Sequence, residues 1–120
     1  MQGPVERRFR LTSSTKIQRV RRLGRSYADP LLVLVVEERD RASTRFAVTA
    51  GRSVGNAVKR NRAKRLIRAA LRDFLPELKQ GYDGVIIARK PLIHSTYRET
   101  SLALNSLLKK AGLINSKTDG

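Results

Sequence analysis

The stretch that most constrains this chain runs from Ser53 to Pro76, S-V-G-N-A-V-K-R-N-R-A-K-R-L-I-R-A-A-L-R-D-F-L-P. At about 100° per residue, Ala63, Leu66, Ile67, Ala70 and Phe74 share one helical face, with Leu71 at its border. Asn61, Arg65, Arg68 and Arg72 recur on the opposite face, flanked by Arg62 and Lys64, with Arg60 nearer the buried side. Asn56 is placed as the N-cap, Gly55 permits a close approach of the backbone, and Pro76 closes the helix. Any fold must therefore bury one side of this helix and leave the other open.

The charge pattern says what the open side is for. Arg52 to Arg72 holds eight Lys or Arg and no Asp or Glu. Lys59, Arg60 and Arg62 lie in the first two turns, where the helix dipole disfavours cations by a few tenths of a kcal/mol each. Like charges at i, i+3 and i, i+4 (Arg62 with Arg65, Lys64 with Arg68, Arg68 with Arg72) add similar penalties. A face that served solubility alone would mix signs. A helix that tolerates this repulsion is built to meet a polyanion.

The whole chain agrees. Its net charge is +16 over 120 residues, and a second group of eight basic residues lies within residues 1–25. Such an excess, clustered rather than dispersed, is the footprint of a nucleic-acid binder. A membrane-surface helix would set apolar anchors opposite the charge on an exposed element, whereas here the apolar stripe reads as core. No membrane partner is expected. The absence of cysteine excludes disulfides and thiolate chemistry, and a lone histidine, His94, leaves no ligand set for zinc. His94 is read as a turn or cap residue rather than a catalyst. With no long apolar run and no signal-peptide core, the expected location is the cytoplasm.

The remaining elements follow in order. Residues 1–11 read as a flexible basic arm. A short helix capped by Thr12, Ser13 or Ser14 runs to about Leu23, with Gly24 as its stop. Leu31 to Val36, L-L-V-L-V-V, reads as a strand covered on both faces, and Thr44 to Ala50 alternates as a half-wet one; the two are expected to pair antiparallel. Val85 to Ala88 is a third strand and Ser95 to Ala111 a last helix stopped by Gly112, leaving 113–120 as a loose tail. The result is one domain over residues 1–120, an α+β arrangement with helices packed on a small central sheet.

The run Gly55 to Arg68, G-N-A-V-K-R-N-R-A-K-R-L-I-R, resembles the signature of the protein subunit family of bacterial ribonuclease P. The flanking pieces are similar as well: Gly24-Arg25 after a basic helix, R-F-A-V-T-A-G-R before the motif, and V-I-I-A-R-K-P (Val85 to Pro91) after it. The resemblance covers about residues 7–112. It implies a small α/β sandwich with a left-handed crossover, bound to a large catalytic RNA that removes the 5′ leader of precursor tRNA. The RNA would carry the chemistry and its Mg2+, so no catalytic residue and no cofactor held by the protein alone is expected; whether any metal is shared with the protein is left open. Arg60, Asn61 and Arg62, with Lys64, Arg65 and Arg68, would touch that RNA, and Arg52, Asn56, Lys59 and Arg72 complete the candidate RNA-binding set.

The resemblance also implies a cleft between the first helix and the sheet that holds the single-stranded leader. Its positions here are Ile17, Arg21 and Val35, none of them aromatic, with Arg89 and Lys90 at a strand end. Leader binding is therefore expected to rest on phosphate contacts, with Arg21 substituting in part for a stacking ring. A chain that cleaves RNA by itself would need clustered carboxylates to hold metal ions. Asp29, Glu37, Glu38, Asp40, Asp73, Glu77 and Asp83 are scattered. The reading of a different class is a structural RNA-binding protein such as a ribosomal component, separated from the first only by the motif.

Overall fold

A computed structural model describes residues 10–40 and 42–115. Its elements are α1 (Ser14–Leu23), β1 (Arg25–Ala28), β2 (Leu32–Glu38), β3 (Arg45–Ala50), α2 (Ala57–Phe74), β4 (Tyr82–Ala88) and α3 (Tyr97–Lys110). The sheet order is β1-β2-β4-β3. β2 runs antiparallel to β1 and to β4, while β3 runs parallel to β4.

The expected antiparallel pairing of Leu31–Val36 with Thr44–Ala50 does not form: β4 lies between them. Val85 and Ile86 are wholly buried, so this strand takes a central position where both faces are covered, and the wetter β3 becomes an edge. β3, α2 and β4 form a parallel β–α–β unit.

Alternation along the strands sorts the core into two layers. Leu32, Leu34, Val36, Phe46 and Ile86 pack with Ile67, Leu71, Leu104 and Leu107 from α2 and α3. Val35, Ala47 and Val85 pack on the other face with Leu11 and Val20, beneath α1. Ten residues of α1 cannot cover that face, so Val33 and Ile87 stay half-buried beside it.

The chain ends are more tied down than the sequence suggests. Leu11 is buried and its N–H donates to the Phe46 carbonyl at 2.8 Å, so the expected arm is anchored at residues 10–11, and residues 1–9 lie outside the described region. Leu113 and Ile114 are buried past Gly112, whose φ of +79° fits a helix stop. The packed chain thus continues into the segment expected as tail; 116–120 lie outside the described residues.

Two glycines are required by space. A Cβ on Gly24 would sit 2.7 Å from the carbonyl oxygens of both Val20 and Val36, so α1 meets β2 more closely than any other residue allows. Gly24 caps the C-terminus of α1, as the sequence leads one to expect, with an extended rather than left-handed backbone. A Cβ on Gly84 would lie 2.5 Å from Phe46 Cε1. Gly84→Ala is expected to lower stability by about 1–3 kcal/mol, as overpacked cores do, read as a shift of the urea midpoint.

Candidate nucleic-acid interface

The strip on α2 forms as its sequence dictates. Asn56 caps the helix, its side chain accepting from Lys59 N–H at 3.0 Å. Gly55 before it has a φ of +143°, a region glycine alone enters readily. Ala63, Ile67, Ala70 and Leu71 are buried against the sheet and α3; Leu71 belongs to the centre of this face rather than its border, and Leu66 and Phe74 are half-buried. The helix is therefore rotated slightly towards Leu71.

That rotation sets the exposure of the cations. Arg52, Lys59, Asn61, Arg62 and Arg65 are exposed, and Arg60, Lys64, Arg68 and Arg72 are half-buried. Arg62 also reaches the Ser95 carbonyl at 3.5 Å, tying α2 to the turn before α3. Asn56 spends its oxygen on the cap, so only its amide hydrogens remain for a partner. Arg68 sits at the flank facing β3, and burial, with the nearby Arg10 charge adding to it, lowers its pKa below the ordinary arginine value.

The second surface is the gap between α1 and the sheet. Arg19 donates from Nε to both Glu37 carboxylate oxygens at 3.1 Å, and Arg39 reaches the same carboxylate at 3.4 Å. Ile17 and Arg21, four residues apart, share the opposite flank of α1. The helix is thus clasped on one side and open on the other. On the open side Arg21 is exposed, Ile17 is half-buried, and Val33 and Ile87 form an apolar floor.

Val35 is not part of that floor. It is 4% exposed and lies under the end of α1, with Cγ1 2.9 Å from the position a Gly24 Cβ would take. Strand alternation gives Val33 the same orientation, and α1 leaves it uncovered; strand parity was a signal for this, but the angle of α1 was not in the sequence. Arg89 and Lys90 emerge at the end of β4, both exposed, and Arg89 Nη1 donates to the Asp29 carbonyl at 3.2 Å. The structure brings Ile17 and Arg21 together on one helix flank and sets Arg89 and Lys90 at the end of the strand that carries Ile87.

The clasp predicts a pH effect. The hydrogen bond and charge of Arg19 hold the Glu37 carboxyl below its ordinary pKa of 4.5. A depressed carboxylate contributes stability above its unfolded pKa and loses it as pH falls through the lower folded value. Asp83 stands opposite Glu37 in the β2–β4 register as a second carboxylate at this end. Glu37→Gln should flatten the acid limb of the stability profile below about pH 5. Urea midpoints that fall in parallel for both proteins would contradict it.

Among the described residues no three His, Asp or Glu side chains gather into a metal-ligand cluster, and no helix is long and apolar enough to cross a membrane. His94 is exposed at the end of a 3₁₀ turn, Lys90–His94. These features define a basic α+β protein that presents cations on one helix and an open cleft on the other face of its sheet.

Comparison with known proteins gives the family. The ribonuclease P family model matches residues 5–112, so the chain belongs to the ribonuclease P protein family. It is 36% identical over 116 residues to the ribonuclease P protein component of Chloroflexus aurantiacus, covering 96% of this chain and 86% of that one. To that of Clostridium botulinum (strain Loch Maree) it is 39% identical over 107 residues, 88% and 96% of the two chains. The fold is similar to the ribonuclease P protein of Staphylococcus aureus, with a TM-score of 0.80, 27% identity and coverage of 89% and 98%. For the protein of Thermotoga maritima the TM-score is 0.75, with 25% identity and coverage of 84% and 96%. As a member of this family the chain is a protein component of the ribonuclease P holoenzyme, which matures tRNA 5′ ends.

Proposed function

We propose that the two surfaces divide the work: the α2 strip docks on the catalytic RNA, and the cleft beside α1 holds the single-stranded 5′ leader of precursor tRNA. The observation that carries this is the placement of Asn61, Arg62 and Arg65 in solvent, opposite the buried Ala63, Ile67 and Ala70. Hydrolysis and the Mg2+ ions belong to the RNA, and the holoenzyme works in the cytoplasm. The protein contributes cations that offset phosphate repulsion as RNA and substrate approach.

Reconstitution tests the reading. Adding the protein to a bacterial ribonuclease P RNA should lower the magnesium concentration needed to produce mature 5′ ends. An unchanged magnesium requirement would overturn it.

The cleft offers apolar floor and cations but no ring, so leader contacts rest on phosphates, with Arg21, Arg89 and Lys90 in reach. Arg21→Ala should weaken holoenzyme affinity for leader-bearing precursor by roughly 10-fold, the low end for one charge-assisted phosphate contact, while leaving affinity for leaderless tRNA unchanged. Equal affinities of wild type and variant for the precursor would exclude this role.

A further inference from the structure

The exposed face of α2 holds one residue that charge does not explain. Val58, Arg62 and Arg65 recur at i, i+4 and i+7, so Val58 stands in line with the cations, and it is 74% exposed. Among the described residues the other exposed large hydrophobics are Leu23, Leu102 and Tyr97, and only Tyr97, 42% exposed, is aromatic.

Tyr97 begins α3 directly after its cap, Thr96. Two observations turn its side of α3 towards α2. Arg62 Nη2 donates to the Ser95 carbonyl at 3.5 Å, two residues before Tyr97. Ser101, one turn on from Tyr97 along the same flank, lines a surface cavity with Phe74 from the end of α2. Tyr97 therefore borders the cationic strip, with Arg62 linking the two helices. Arg98 beside it is exposed, and Glu99 is committed to the capping box, its Oε1 accepting from the Thr96 N–H at 2.9 Å.

Cations alone hold a phosphate backbone and read nothing from it. Surfaces that take unpaired nucleotides set an aromatic face beside a positive groove, because every base has a π-face to stack while its phosphates stay within reach of the cations. A tyrosine suits this role, since it offers a large flat ring with few rotatable bonds to freeze. The loops and bulges of a folded RNA present such bases, whereas its duplexes do not. Position also decides between RNAs. α3 packs on the sheet face opposite the α1 cleft, so a base that reaches Tyr97 belongs to the RNA docked on α2 and not to a leader held in that cleft.

We propose that Tyr97 stacks one unpaired base of the catalytic RNA, whose neighbouring phosphates meet Arg62 and Arg98, so that the RNA interface continues from α2 onto the start of α3. Arg62 spends one donor on Ser95, and most of its guanidinium remains for phosphate. The inference rests on the α2 reading and deepens it, because it adds a contact that salt does not screen.

The full chain and the catalytic RNA, with no precursor present, provide the test. Tyr97→Ala should weaken binding by at least about fivefold, the low end for one stacked base. The slope of log affinity against log salt should stay that of wild type, because a tyrosine neutralises no phosphate. Tyr97→Leu keeps apolar bulk at the same exposed place without a ring face, so it should lose as much. Both should retain the wild-type urea midpoint, since the Thr96–Glu99 box is untouched. The chain holds no tryptophan, which makes Tyr97→Trp a single reporter that answers independently of any loss of folding in the other two. It should bind at least as tightly as wild type, with its emission quenched as RNA saturates it.

Wild-type affinity in Tyr97→Ala or in Tyr97→Leu, or unquenched emission from RNA-bound Tyr97→Trp, would overturn the proposal. So would a loss confined to leader-bearing precursor, which would move the contact to the leader. The α2 reading fails separately: it is read from the salt slope of the arginine variant, which substitutions at Tyr97 leave alone.

Discussion

Changing Arg65 and Arg68 together to Ala will reduce affinity for ribonuclease P RNA by roughly 100-fold while leaving the unfolding transition nearly in place. Each charge-assisted hydrogen bond to phosphate contributes about 1.5–3 kcal/mol, and two at the low end give that factor. Stability should change by no more than about 0.5 kcal/mol, the range of surface substitutions. Arg65 is exposed and faces away from Ile67 and Ala70. Arg68 is half-buried near Arg10, whose charge disfavours its charged form, so its removal relieves some like-charge repulsion. Filter binding and urea unfolding on the same preparation separate the two effects. A variant that unfolds would mean that these side chains hold the fold together.

Ile67→Ala will produce the opposite pattern. Ile67 is 0% exposed, on the same helix and one residue from Arg68, in the layer shared with Leu34, Ile86 and Leu104. Truncating it removes apolar burial and leaves a cavity, at a cost of about 2–5 kcal/mol. A domain of this size holds about 5–15 kcal/mol in total, so its melting temperature should fall by on the order of 10 °C. Where the variant remains folded, its RNA affinity should match wild type, because no cation has moved. Thermal unfolding and binding at low temperature check both halves.

Together these variants test a single helix with two independent faces. That helix was the part of the structure most legible in the sequence. Asn56 at its start, Pro76 just past its end and an apolar stripe at helical spacing all agree locally, so no tertiary information was needed. The start of α1 falls at Ser13, one of three candidate caps, and α3 starts at Tyr97 rather than about Ser95, behind a Thr96–Glu99 capping box that is the local signal for it.

Pairing was less legible. Periodicity reports how much of a strand is covered but not by which neighbour, so β2 and β3 were matched because they follow one another in the chain. β1, R-S-Y-A, escaped notice because it is a four-residue edge strand in which only Tyr27 packs on the core. A signal was present in Asp29-Pro30, whose carboxylate accepts from Leu31 N–H at 2.9 Å and shapes the turn into β2.

The candidate sites divide along the same line. The α2 strip could be read from spacing, because one helix carries all of it. The leader cleft depends on how α1 crosses the sheet, which the close contact at Gly24 and the Arg19–Glu37 clasp determine. Hence the sequence points to Val35 for the cleft, while the partly buried residues beside α1 are Val33 and Ile87.

The most direct test of the central claim is the salt dependence of RNA binding by wild type and by the Arg65→Ala, Arg68→Ala variant. If both arginines neutralise phosphates, the slope of log affinity against log salt concentration should become shallower by about 1.4 to 1.8, from 0.7–0.9 per phosphate contact. Identical slopes for the two proteins would show that the strip does not face RNA.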